Sequence, residues 1–210
     1  MTTYEERLQD DYPTLLKEAS DYYMARGDVF TTLRNLTRRL EEAKIPYALV
    51  GGLALAAHGF VRMTQDVDLL MTREGLETFK QKFPGRSYVP AFSDAQTTFR
   101  DTETQVRIEI LITGDYPGDG KPKPIAFPDP SIVFTERGGM RVIKMETLIE
   151  LKLASGMSAP HRLRDLADVQ DLIATLKLPI EFAETLDAFV RETFRQLWHS
   201  AQVDTPNESG

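Results

Sequence analysis

The spacing of hydrophobic positions changes period several times along this 210-residue chain. Residues 4–26 mix acidic and apolar positions at helical spacing, and Pro13 makes that helix break or restart. From Asp28, a suitable N-cap, Phe30, Leu33, Leu36 and Leu40 recur on one face while Arg38, Arg39, Glu41 and Glu42 fall mostly off it. That pattern predicts an amphipathic helix ended by Pro46. Tyr47, Ala48, Leu49 and Val50 then form a short apolar run closed by Gly51 and Gly52, the signature of a buried strand feeding a tight turn. Small residues continue into a helix over 53–57 that stops near His58 and Gly59. After a connector holding Arg62 and Thr64, a second strand runs through Asp66, Val67, Asp68, Leu69, Leu70 and Met71.

Beyond a helix over 73–83 the period becomes two. Residues 97–100 and 105–113 alternate as strands, with a turn-like Asp101, Thr102, Glu103 and Thr104 between them, which predicts an antiparallel hairpin. Residues 114–130 carry Pro117, Gly118, Gly120, Pro122, Pro124, Pro128 and Pro130 and read as one long loop. A short strand at Arg141, Val142 and Ile143 precedes three helices over 145–155, 163–176 and 181–198, and the tail from Asp204 reads as disordered. The class is therefore α/β: a small mixed β-sheet with flanking helices and a helical C-terminal part. The expected division is N-terminal helices over 1–45, a core over 46–144, helices over 145–203 and a tail over 204–210. No internal repeat or low-complexity segment interrupts it.

Composition narrows the chemistry. The chain has no cysteine, which excludes disulfide frameworks, thiolate nucleophiles and cysteine-ligated metal centres. No apolar run reaches the length of a membrane span and the charged first ten residues lack the apolar centre of a signal peptide, so a cytoplasmic protein is expected. The formal net charge of −7 argues against general binding along nucleic acid. Arg38 with Arg39, Lys121 with Lys123, and residues 161–164 are the candidate local basic patches, although scattered basic residues on so charged a surface are usually just solvated.

The residues that can carry chemistry are acids on strands. Asp66 and Asp68, at i and i+2, project from the same strand face about 7 Å apart. Such a pair either forms an exposed strand edge or closes on a hard divalent cation, and magnesium prefers one or two carboxylates completed by phosphate oxygens and water. Glu109 lies on the opposite face from Val106, Ile108, Ile110 and Ile112, alongside Arg107 and Leu111. A carboxylate there needs a partner, either Arg107 or another cation, or a metal shared with Asp66 and Asp68. Gly51 and Gly52 supply a turn without side chains at the mouth of a strand, where backbone N–H groups can approach an anion.

Val50, Gly51 and Gly52, followed after thirteen residues by Asp66, Val67, Asp68 and Leu69, resemble the signature of the polymerase β-like nucleotidyltransferase superfamily. The fuller set of Gly51, Gly52, Leu53, Ala54, His58, Gly59, Arg62, Thr64, Asp66 and Asp68 is similar to AbiEii-type minimal nucleotidyltransferases, some of which are toxins of toxin–antitoxin pairs. The resemblance spans about residues 46–175. It implies a two-metal site in which Asp66 and Asp68 hold Mg2+ against the triphosphate of an NTP such as ATP and Glu109 joins on the cation that activates the acceptor hydroxyl. Gly51, Gly52, Arg62 and Thr64 would line the nucleotide site. Two departures stand out: Leu53 follows the glycines where many relatives carry Ser or Thr, and the third acid is Glu rather than the commoner Asp.

Lys152 falls inside the apolar face formed by Met145, Leu148 and Ile149 and either snorkels outward or turns its ammonium to a phosphate. On the next helix Leu166, Val169, Leu172, Ile173 and Leu176 form the buried stripe, with Asp165 on its border and Arg164 and Asp168 outside. The run from Lys152 to Asp168 resembles an element following the catalytic core in AbiEii-type proteins, which implies that Lys152 binds phosphate while Asp165 orients it or contacts the acceptor. His58 reads as a structural hydrogen-bond partner that could also line the pocket, and His161 and His199 carry no argument. The implied partners are an NTP, a protein, tRNA or small-molecule acceptor and an antitoxin. The alternative is a non-catalytic binding or regulatory module on the same fold. A metal-dependent hydrolase lacks support, because neither a histidine cluster nor a Ser–His pair has recognisable spacing.

Overall fold

The computed structural model describes residues 27–83, 85 and 87–203. The expected helix over 4–26 and the tail from Asp204 lie outside the described residues. Among these residues two compact units emerge: those up to Thr113 together with Pro128–Lys144, and Gly114–Phe127 together with those from Met145 onward.

The first unit is built on one seven-stranded mixed sheet, which makes the protein α/β. Its strands are β1 (Tyr47–Leu49), β2 (Asp66–Met71), β3 (Tyr88–Pro90), β4 (Thr98–Asp101), β5 (Arg107–Ile112), β6 (Phe134–Arg137) and β7 (Met140–Ile143), in the order β3-β4-β5-β2-β1-β7-β6. β2 is central, antiparallel to β1 and parallel to β5. The parallel pair is fixed by its apolar face: Val67, Leu69 and Met71 stand beside Ile108, Ile110 and Ile112, all nearly inaccessible to water. A one-residue slip would turn that whole set outward. The expected hairpin of β4 and β5 is present, with Thr98 opposite Glu109.

Among the described residues three helices belong to this unit: α1 (Asp28–Glu42), α2 (Gly51–Ala57) and α3 (Arg73–Lys82). α1 buries Leu33, Leu36 and Leu40 on its expected stripe, but its N-cap is Gly27 in the left-handed region and Asp28 is already helical. α2 begins at Gly51, two residues earlier than its small-residue run suggested. α3 is capped by Thr72, whose hydroxyl oxygen accepts from the Gly75 N–H at 3.0 Å.

Three α-helices form the second unit: α4 (Met145–Ser158), α5 (Leu163–Leu176) and α6 (Ala188–Val203), with short 3-10 turns at Pro160–Arg162 and Ile180–Thr185. Ile149, Leu153, Val169, Leu172, Val190 and Phe194 make its core. The last helix differs from expectation. The periodicity over 181–198 covers two elements, because Leu186 turns extended and Asp187 restarts the chain by accepting the Phe189 N–H at 2.8 Å. The long loop is also more ordered than its composition suggests. Gly118, at φ +76°, lies so close to α4 that a Cβ there would strike the Ser158 hydroxyl, and Lys123 donates to the Pro117 carbonyl, Asp119 and Ser158. Among the described residues no helix is long and apolar enough to cross a membrane.

Candidate active site

The sheet unit gathers the predicted acids by register. Asp68 stands beside Glu109 and Asp66 beside Arg107 across the β2–β5 pair, so the three carboxylates and one guanidinium share a sheet face. Along β2 this face is partly open at Asp66 and Asp68 and closed by buried Leu70. Glu109 has a near neighbour on its own strand: its Oε2 accepts from Arg107 Nη2 at 3.1 Å, in a partly exposed ion pair.

The two glycines meet the same strand and the connector before it. Gly51 has φ +63°, and a Cβ there would collide with the Asp68 carboxylate. The strand end is pinned by the Val50 N–H, which donates to the Asp68 backbone carbonyl at 3.0 Å. Gly52 faces the connector, where a Cβ would lie 2.8 Å from the Thr64 Oγ1 and 3.4 Å from Arg62 Nη1. Gly51 is thus required twice, once by backbone conformation and once by the carboxylate that fills the space a side chain would need. Six predicted residues, Gly51, Gly52, Arg62, Thr64, Asp68 and Glu109, are linked in this chain of neighbours, with Asp66 on the same face.

The donor set fits a hard divalent cation. Carboxylate oxygens on two adjacent strands, beside a backbone cleared of side chains, are the ligand chemistry magnesium uses with phosphate oxygens. As the side chains stand, no group of three or more His, Asp or Glu among the described residues is drawn together tightly enough to hold a metal ion. The Arg107 pair with Glu109 supplies positive charge to this face in the meantime.

Lys152 and Asp165 belong to the helical unit and meet each other there. The Lys152 ammonium donates to Asp165 Oδ1 at 2.9 Å and to Asp168 Oδ2 at 2.7 Å, while the Ser155 hydroxyl donates to Asp165 Oδ2 at 2.7 Å. Lys152 is buried rather than snorkelling. Asp168, placed outside the buried stripe by its helical position, is in fact 2% exposed. The reason is the lysine: a buried ammonium needs carboxylates, and Asp165 and Asp168, three apart on α5, present two on one face. His58 is buried and its Nε2 lies 2.7 Å from the Ile143 carbonyl oxygen, a structural tie between α2 and β7. Arg39, read as part of a basic patch, lies over the Tyr88 ring instead, 5.4 Å from its centre. A groove of about 690 Å³ between α1 and the β6–β7 turn, lined by Phe30, Arg34, Arg38, Glu41 and Met140, contains none of the candidate site residues.

No protein-family model and no curated protein matches the chain. Among solved structures it is similar to a candidate nucleotidyltransferase of Thermotoga maritima, at 22% identity and a TM-score of 0.46 over 68% of this chain and 92% of that one. It is also similar to a nucleotidyltransferase-like protein of Paracoccidioides brasiliensis, at 19% identity and 0.45, covering 70% and 76%. A third likeness is to ANT(2″)-Ia in complex with adenylyl-2″-tobramycin, at 15% identity and 0.45, covering 82% and 97%. With every TM-score below 0.5, the functional reading rests on the site's own residues.

Proposed function

We propose that the sheet unit carries a magnesium-dependent nucleotidyltransferase site that moves a nucleoside monophosphate from a nucleoside triphosphate to a hydroxyl acceptor. The observation that carries this reading is the fit of the Asp68 carboxylate into the space over Gly51, on a strand that sets Asp68 beside Glu109. A backbone bared of side chains next to paired carboxylates suits a polyphosphate and its cation together. Asp66, Asp68 and Glu109 would hold the cation. When bound, Mg2+ supplies charge neutralisation to the attacking and leaving oxygens of an in-line displacement at the α-phosphorus. The acceptor oxygen forms the new bond to phosphorus, the bond to the β-phosphate breaks, pyrophosphate leaves and the hydroxyl proton passes to solvent.

The chain's own residues would act by position. Gly51 and Gly52 let the Asp68 carboxylate and Thr64 pack directly on a backbone whose N–H groups would face a phosphate, Arg62 borders that turn, and the β2–β5 register fixes the carboxylate spacing. Asp165 orients Lys152, as their 2.9 Å bond supports, and Asp168 shares the ammonium. The net charge of −7 favours a protein or small-molecule acceptor over an RNA end. A toxin role with an antitoxin partner rests on the sequence resemblance alone.

A non-catalytic module on this fold is the second reading, favoured by Glu109 being engaged with Arg107 rather than drawn toward Asp66 and Asp68. Incubating the chain with each α-labelled nucleoside triphosphate and Mg2+, beside total RNA, total protein or a metabolite pool, separates the two. Label in one pool that disappears in Asp68→Asn and Gly51→Ala is the expected result. A folded chain that binds no nucleotide in the presence of Mg2+ overturns the catalytic reading in favour of the module.

A further inference from the structure

Arg107 is on the acid face without being an acid. It stands beside Asp66 in the parallel register, two residues from Glu109, with Arg100 opposite it on β4. Arg100 Nη1 is occupied by the Gln105 carbonyl at 2.9 Å. Arg107 gives Nη2 to Glu109, while its Nε, shut off from water, has no hydrogen-bond partner. The guanidinium is therefore held by few bonds, and its side chain is 42% exposed. An ion pair of that exposure is weak and easily exchanged. Three like charges share the face, and Arg107 is a cation that the strand register places directly among them.

We propose that Arg107 is the resting counter-ion of this site, occupying Glu109 until a divalent cation displaces it. The inference rests on the cation-site reading above. Arg107 holds Glu109 through Oε2 alone, so a cation drawing on that carboxylate competes with the guanidinium for its charge. A guanidinium left a few ångströms from a doubly charged ion also repels it, even at a water-like dielectric. Displacing the weak pair and removing that repulsion both favour the cation once the arginine charge is gone.

The test is titration of the full chain with Mn2+ alone at low salt, with free Mn2+ read by electron paramagnetic resonance. The wild type, Asp68→Asn, Arg107→Gln and Arg107→Lys are compared. Arg107→Gln should bind Mn2+ about three- to tenfold more tightly than wild type, and Arg107→Lys, which keeps the charge, should stay near it. Arg107→Met carries the same expectation as the glutamine and stands in if that variant does not fold. Unchanged or weaker binding in the neutral variants overturns the counter-ion role while leaving the site reading intact. A wild type whose Mn2+ binding is absent, or indifferent to Asp68→Asn, overturns the site reading and the proposal with it.

Discussion

Replacing Lys152 by methionine should be among the most damaging single changes in the helical unit. The substitution keeps an unbranched stem of similar reach and removes only the ammonium. What remains is Asp165 at 17% and Asp168 at 3% side-chain exposure, both having faced that ammonium at under 3 Å. Removing one partner of a buried ion pair strands the other's charge and costs about 3–5 kcal/mol, several times the worth of an exposed pair. Ser155 still donates to Asp165, whereas Asp168, the more deeply buried of the two, loses an ammonium at 2.7 Å. With a urea dependence of about 1–3 kcal/mol per molar, the midpoint should fall by roughly 1–5 M. Trp198 makes the assay local: it is the single tryptophan of the chain, lies on α6 and donates its Nε1–H to the Leu178 carbonyl at 2.8 Å. Its fluorescence in urea therefore follows this unit. Adding Asp165→Asn and Asp168→Asn to Lys152→Met should recover about half of the loss or more, because neutral amides are cheaper to bury than charges. A single-variant loss below about 1 kcal/mol would refute the reasoning, since that is the scale of a solvated pair. So would a triple variant no more stable than the single.

Other outcomes follow from groups elsewhere in the two units. Burial raises the Glu150 carboxyl above its ordinary range, against the pull of the Asp187 backbone N–H that it accepts, with the Asp187 and Glu146 charges adding to the rise. Its contribution is therefore fully present below the unfolded carboxyl range and is lost as pH rises through the folded value. Glu150→Gln, which keeps an acceptor for the Asp187 N–H, should melt higher than wild type at pH 7, with the gap closing in acid; an equal gap at both pH values would count against it. Thr72→Ala removes the cap on α3 and should cost about 1 kcal/mol in chemical denaturation, whereas Thr72→Ser should cost little. Burial pushes the Tyr47 hydroxyl up to about 12. Its stabilising effect is complete below the ordinary phenol value near 10 and is lost as pH rises through 12, so ultraviolet titration should show Tyr47 ionising late, alongside Tyr88, whose hydroxyl burial also raises. Tyr47→Phe should reduce the amplitude of the late step, and an unchanged amplitude would count against the assignment.

Strongly periodic stretches were the legible ones. β2, α5 and the β4–β5 hairpin lie where alternation and the helical stripe put them, because in each the apolar pattern meets a continuous core. β3 and β6 were missed: they are three- and four-residue edge strands, half solvated, with no buried face long enough to leave a pattern. The break at Asp187 had a local signal, an N-capping side chain, that the surrounding apolar spacing masked. The acid and glycine positions could be read because their spacing is local to one strand and one turn. Burial of Asp168 could not be read from its own helix, since it is set by an ammonium on another, although a lysine inside an apolar face was the cue that such a carboxylate must exist. The Arg107 engagement of Glu109 was open as one of two partners, and only the side-chain geometry selects it.

The β2–β5 pairing also orders events as the chain folds. Asp68 and Glu109 lie about 40 residues apart in sequence and become neighbours only when two parallel strands dock, a non-local step that is slow relative to hairpin closure. β4 and β5 can close first as a hairpin, which brings Glu109 in with Arg107 two residues away on the same strand. The arginine would then act as an escort, carrying the third carboxylate into a field of like charge before any metal is there to receive it. Substitutions at position 107 should accordingly be felt in the refolding rate as well as in the finished site.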